Sequence, residues 1–184
     1  MSYILGIDPS LTGTGVATRY RSTRIDVRHI QVEGRQLHTL LRRRWICGTI
    51  TDRWLTGVRL AVIEGMYPRM QSGQHDRAAL HGDIVDKLDR RGIHVVTVPP
   101  TVLKQYATGN GAARKDDMIR QALLLQLGAP ATDDEADALW LCALGHELAG
   151  DRIVQLPAAQ IAVAGNLSDD AWLRGRPDDL QASR

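Results

Sequence analysis

Two short apolar runs in this chain stop on an acid. "YILGID", residues 3 to 8, ends on Asp8, and "GVRLAVIEG", residues 57 to 65, reaches Glu64 just before its closing glycine. Short aliphatic runs bounded by turn formers read as buried strands. A carboxylate at the end of such a strand is costly to desolvate unless something cationic meets it. Asp is also a common turn residue, so Asp8 alone reads equally well as a cap on the turn through Pro9, Ser10, Thr12, Gly13 and Gly15. What decides between the readings is whether other acids gather at the same place.

The rest of the pattern supplies the frame. Gly13 to Tyr20 returns as a second strand, and Arg24 to Val32 alternates apolar and polar as a third. A helix is expected from about Gln36 to Leu55, with Leu37, Leu40, Leu41, Trp45 and Ile50 as its apolar face. Another runs from about residue 75 to 91, with Ala78, Leu80, Ile84, Val85 and Leu88 as its stripe and Gly92 as its stop. "IHVVTVPP" is a strand halted by two prolines, and helical segments flank "TGNGAARK", read as a flexible basic loop. The last strong helix is "PATDDEADALWLCALGHELAG", with Thr132 and Glu135 as a capping box and Gly150 as its end. Three strands, helix, strand, helix, strand, helices: this order suits an α/β fold with a mixed five-stranded sheet and helices on both faces. After Asp151 the periodicity dissolves, so residues 1–150 are expected to form the domain and 151–184 a peripheral or disordered tail.

A chain of 184 residues can bury a full core in one domain. It has no apolar run long enough for a membrane span and no basic-then-apolar leader pattern, so a cytoplasmic protein without membrane contact is expected. In that setting Cys47 and Cys142 are reduced core residues. A net charge of +2 is too small to announce a nucleic-acid partner. The distribution says more: Arg42, Arg43 and Arg44 cluster, as do Lys104, Arg114, Lys115 and Arg120. A solvated helix face accounts for the arginine triplet equally well.

In a sheet of this order the first strand is central and the Glu64 strand lies beside it. Both acids then sit at strand C-terminal ends, where open α/β sheets place their sites. Asp134 and Asp137 are three apart on the last helix and share a face. Acids in a first helical turn also suit the helix dipole, which is account enough for Asp133 and Glu135. Four converging carboxylates would repel one another unless divalent cations neutralise them. Hard oxygen donors suit Mg²⁺, or Mn²⁺ in its place. Two such ions roughly 3.5–4 Å apart would hold the attacking and leaving oxygens of a phosphodiester.

"GIDPSLTGTGVA", "VIEGMY", "TVLKQYATGNGAARKDDMI" and "DEADALWLCALGH" together resemble the RuvC-type Holliday-junction resolvases, in order over residues 1 to about 148. The resemblance implies an RNase H-like fold and a homodimeric, Mg²⁺-dependent endonuclease. It implies that Asp8, Glu64, Asp134 and Asp137 are the catalytic, metal-binding acids, and that Lys104 and Lys115, with Arg114 beside them, meet DNA phosphates. Tyr67 takes the place of an aromatic that stacks at the opened junction; the family commonly has Phe there, and this chain contains none. The helix from about 75 to 91 becomes the expected dimer interface, and a branch-migration motor a candidate partner. The expected reaction is paired nicking of a four-way junction, leaving 5′-phosphates. Three other functions fit the same features: a broader flap or fork nuclease, a junction-binding module that does not cut, and a fragment of an actin-like ATPase, against which the short length argues.

Overall fold

The computed structural model describes residues 3–19, 25–32, 38–66 and 74–168. Among them, five strands form one sheet in the order β3-β2-β1-β4-β5. They are β1 (Tyr3–Asp8), β2 (Gly13–Thr18), β3 (Asp26–Gln31), β4 (Val58–Glu64) and β5 (His94–Val98). The first three form an antiparallel meander, while β1, β4 and β5 are mutually parallel. The helices are α1 (Thr39–Arg53), α2 (Gln74–Asp89), α3 (Pro100–Thr108), α4 (Lys115–Leu124), α5 (Asp133–Leu148) and α6 (Ala158–Ser168). No helix among the described residues is long and apolar enough to cross a membrane.

Strand period two divides the sheet between two cores. Leu5, Ile7, Ala61 and Ile63 face α1 and α2. Ile4, Leu60 and Val62 face α5 and the helices beyond it. Cys47 belongs to the first core and Cys142 to the second, so the sheet separates two free thiols. Counting on by twos, Asp8 shares the α5 face with Ile4 and Gly6, and Glu64 shares it with Leu60 and Val62. The parallel register pairs Ile7 with Ile63, so the two acids leave neighbouring strands side by side.

α5 is the central helix, buried at every position from Ala138 to His146. A helix apolar on all sides belongs in an interior, and this one lies across β1, β2 and β4 with α4 and α6 on its other side. Trp140 there donates its indole N–H to Met118 O at 3.0 Å and meets Tyr106 edge-on at 6.1 Å. The sheet is cut away to receive it. A Cβ on Gly6 would stand 2.1 Å from Ala138 O, and one on Gly15 would stand 1.9 Å from Asp134 O. Gly13 and Gly15 lie in β2, within the strand expected from Gly13; there their role is clearance, not the turn chemistry also expected of them.

Two other expectations need correction. α1 buries Ile46, Cys47 and Ile50 and leaves Leu40, Leu41 and Trp45 exposed; Leu37 lies outside the described residues. The helix is rotated from its expected face because it docks on both the sheet and α2, where Arg43 Nη2 reaches Asp83 Oδ2 at 2.7 Å. Within the expected tail, α6 is a packed helix. It sets Ala164 and Leu167 into the α5 core, and Gln160 Nε2 donates to Tyr106 O at 2.7 Å. Its buried positions include a polar and a small residue, a face too weakly apolar for periodicity to reveal. The packed body therefore runs past residue 150 to Ser168, and residues 169–184 lie outside the description.

Candidate active site

The end of β1 is held by its own turn. Thr14, fully buried, donates its hydroxyl to Ser10 O at 2.8 Å, and Ser10 N–H donates back to Thr14 Oγ1 at 3.2 Å. This reciprocal pair closes the loop after Asp8 and keeps the carboxylate under the α5 face. Across the sheet, Gly65 N–H donates to Val98 O at 2.8 Å, so pairing between β4 and β5 continues past Glu64 and fixes its backbone.

The acidic start of α5 sorts itself by contact. Thr132 Oγ1 accepts the Glu135 N–H at 3.2 Å, and the Glu135 carboxylate accepts the Thr132 N–H at 3.3 Å, the capping box expected from the sequence. Asp133 is ion-paired to Lys115. Both therefore serve the helix end, leaving Asp134 and Asp137 on the face turned toward β1, β2 and β4. Gly15 lies directly beneath the Asp134 carbonyl, so the first turn of α5 rests close against β2.

Burial and like charge act together on the carboxyls at this end of the sheet. Asp8 is only 5% exposed. Burial pushes its carboxyl well above the usual range, and the charges of Glu64, Asp137 and Asp134 push it further. A side-chain hydrogen bond with Glu64 pushes Asp8 in the same direction. Glu64 is also raised, mainly by burial, against the pull of Asp8, Arg77 and Lys104. Asp137 is pushed up to about 7 by burial and by Glu64, despite Lys104 and Lys115. Arg77 is the cation the sequence reading missed; nothing in its local pattern marks it, and its nearness to Glu64 is a product of tertiary packing.

The expected DNA contacts are distributed around this cluster. Lys104, half-buried on α3, acts on both Glu64 and Asp137. Lys115 starts α4 and reaches across to α5, with exposed Arg114 immediately before it. The glycine-rich loop between α3 and α4 is well tied, contrary to the flexible loop expected. Gln105 donates to Gly109 O at 2.8 Å and accepts the Gly111 N–H at 2.9 Å, while Asn110 Oδ1 accepts the Ala112 N–H at 3.0 Å. Gly109 ends α3 at φ 79°, a left-handed position suited to glycine. Tyr67 lies outside the described residues. His146 is structural, with Nδ1 3.1 Å from Asp151 Oδ2.

Whether these acids suit a divalent cation can be judged from what they suffer without one. Among the described residues, no three acidic, His or Cys side chains are already gathered into a ligand cage. Burial and mutual repulsion nevertheless raise three neighbouring carboxyls together, the penalty that a bound cation removes. The donors are all hard oxygens on three rigid elements, a fit for Mg²⁺ or Mn²⁺.

A β3-β2-β1-β4-β5 sheet, with acids on two adjacent strand ends and on the helix crossing them, is the RNase H-like α/β architecture. The fold matches Thermus thermophilus RuvC in complex with a Holliday junction substrate, with a TM-score of 0.66 at 19% identity over 84% of this chain and all of that one. No family profile matches the sequence. A protein of Paenarthrobacter aurescens named crossover junction endodeoxyribonuclease RuvC is 32% identical over 151 residues, 78% of this chain and 79% of that protein. Its namesake from Rhodopirellula baltica is 32% identical over 163 residues, 84% of this chain and 91% of that protein. The chain belongs to the RuvC family.

Proposed function

We propose that this protein is a metal-dependent, structure-selective endodeoxyribonuclease that resolves four-way DNA junctions. The observation that carries the reading is that Asp8 and Glu64 end adjacent strands beneath the start of α5, the turn that carries Asp134 and Asp137, in a member of this family. These four acids would hold two Mg²⁺ ions, with Mn²⁺ able to substitute; when bound, the ions supply an activated water and charge stabilisation for the leaving 3′ oxygen. The protein's own part is placement. β1 and β4 hold two acids on a rigid sheet edge, and the glycine clearance under α5 brings the other pair to them. Lys104, Lys115 and Arg114 would neutralise phosphates on the rim, and Tyr67 would stack on an unpaired base at the junction centre.

Paired cuts need two such sites, so the working form is read as a homodimer. α2 is the proposed interface; α1, packed against it, exposes Leu40, Leu41 and Trp45, apolar area that a second copy would cover. A branch-migration motor is a further proposed partner.

The deciding experiment is incubation with a labelled mobile four-way junction and with linear duplex. Junction-specific paired nicks with 5′-phosphate ends are expected with Mg²⁺ or Mn²⁺, while Ca²⁺ should support binding alone. Undiminished cutting in excess chelator, or equal cutting of linear duplex, would overturn the reading. For the phosphate contacts, Lys104→Ala and Lys115→Ala should each lower the slope of log affinity against log salt by about 0.9. A slope unchanged in both variants would return these lysines to the role of ordinary surface charges.

A further inference from the structure

We propose that His29 is a positioning residue for Asp134: its imidazole, laid over the bare backbone of Gly13, presents Nε2 to the Asp134 carboxylate and sets the direction in which that carboxylate faces. The inference rests on the reading of Asp134 as a metal ligand.

Three features of the structure converge on this ring. The antiparallel register sets His29 on β3 opposite Gly15 on β2. Paired residues share a face and faces repeat every second residue, so His29, Gly15 and Gly13 all lie on the side covered by α5. Gly13 leaves a slot there that the ring fills: a Cβ at that position would stand 2.0 Å from His29 Nε2 and 2.5 Å from Cε1. Any larger residue at Gly13 would displace the imidazole.

The ring's polar edge is the second feature. Nε2 stands 3.4 Å from Asp134 Oδ2, yet it is sealed from solvent and has no aligned hydrogen-bond partner. A buried ring nitrogen left unpaired is unfavourable, and a small turn of the Asp134 side chain would satisfy it. The third feature is the grip on Asp134 itself. Gly15 lies under the carbonyl of Asp134 and His29 lies beside its carboxylate, so neighbouring strands hold the backbone and the side chain of one residue. Groups that hydrogen-bond a ligating carboxylate from outside fix its orientation toward a metal. A histidine serving only to fill space on edge strand β3 would gain nothing by burying Nε2 toward an acid.

The test is calorimetric titration of the DNA-free protein with Mn²⁺. His29→Ala should weaken Mn²⁺ binding by about 10–100-fold, the range for loss of such an outer partner. His29→Gln, whose amide N–H has about the reach of Nε2, should restore most of it, a rescue that a packing role would not produce. In an Asp134→Asn background, His29→Ala should add little. Wild-type Mn²⁺ affinity in His29→Ala, alongside lost affinity in Asp8→Asn, would overturn the positioning role and leave the metal reading standing. Undiminished affinity in Asp8→Asn would remove both. A full-sized His29→Ala effect in the Asp134→Asn background, or no rescue by Gln, would also overturn it.

Discussion

Replacing Asp8 with Asn is expected to cut junction cleavage by at least about a hundredfold, the scale of one lost preorganised electrostatic group, while junction binding persists and the metal-free protein becomes more stable. The two effects share one cause. Asp8 is buried among Glu64, Asp134 and Asp137, and its carboxyl is held well above the ordinary value. A carboxyl raised by folding contributes stability that is fully present below its unfolded value and is lost as pH rises through the folded one. Asp137, pushed up to about 7, adds a second raised carboxyl that acts in the same direction. Metal-free wild type should therefore lose stability from about pH 4 upward through about pH 7. Asn keeps the shape and the hydrogen bond to Glu64 but removes a charge. In chelator, Asp8→Asn should melt above wild type at about pH 8 and converge with it only near about pH 4. Scanning calorimetry at both values checks the sign. A variant that still cuts would remove Asp8 from the site, and one that melts below wild type at the higher pH would contradict the crowding of like charges.

Gly15→Ala should be nearly as damaging, with no chemical group removed. The new methyl would stand 1.9 Å from Asp134 O, a backbone atom that cannot rotate away. Overpacking of this kind costs about 3 kcal/mol, or about 6–12 °C in melting temperature for a chain of this size. Pushing the start of α5 off the sheet also moves Asp134 and Asp137 from Asp8 and Glu64. A shift of about 1 Å can cost about a hundredfold in rate. Gly48→Ala is the matched control: it lies inside α1, nothing stands within 4 Å of its added Cβ, and it should stabilise by about 0.5–1 kcal/mol. If the two variants melt alike, the clearance under α5 is not what holds the helix in place.

Much of the framework around the candidate site is legible in the sequence. Two apolar strands ending on acids, two acids three apart at a helix start, a capping box and glycine stops are short-range features, decided by strand and helix periods and by local hydrogen bonds. The assignment of Asp133 and Glu135 to the helix end, apart from Asp134 and Asp137, followed from the same rules. The central position of β1 and the place of β4 beside it followed from which connections a mixed sheet allows.

Tertiary structure alone decided the rest, because it depends on which surfaces meet. α1 carries enough apolar residues for two docking faces, and only its seat on the sheet and α2 selected Ile46, Cys47 and Ile50 over Leu41 and Trp45. α6 has almost no amphipathic contrast; it is ordered by a partner face and by Gln160 reaching Tyr106. The glycine-rich loop reads as mobile until Gln105 is seen binding it at both ends. Gly13 and Gly15 look like turn residues in sequence, since a missing side chain does not say what occupies its space. Here the occupants are an imidazole and a helix backbone, brought there by strand register and helix docking, two long-range events that no local window contains.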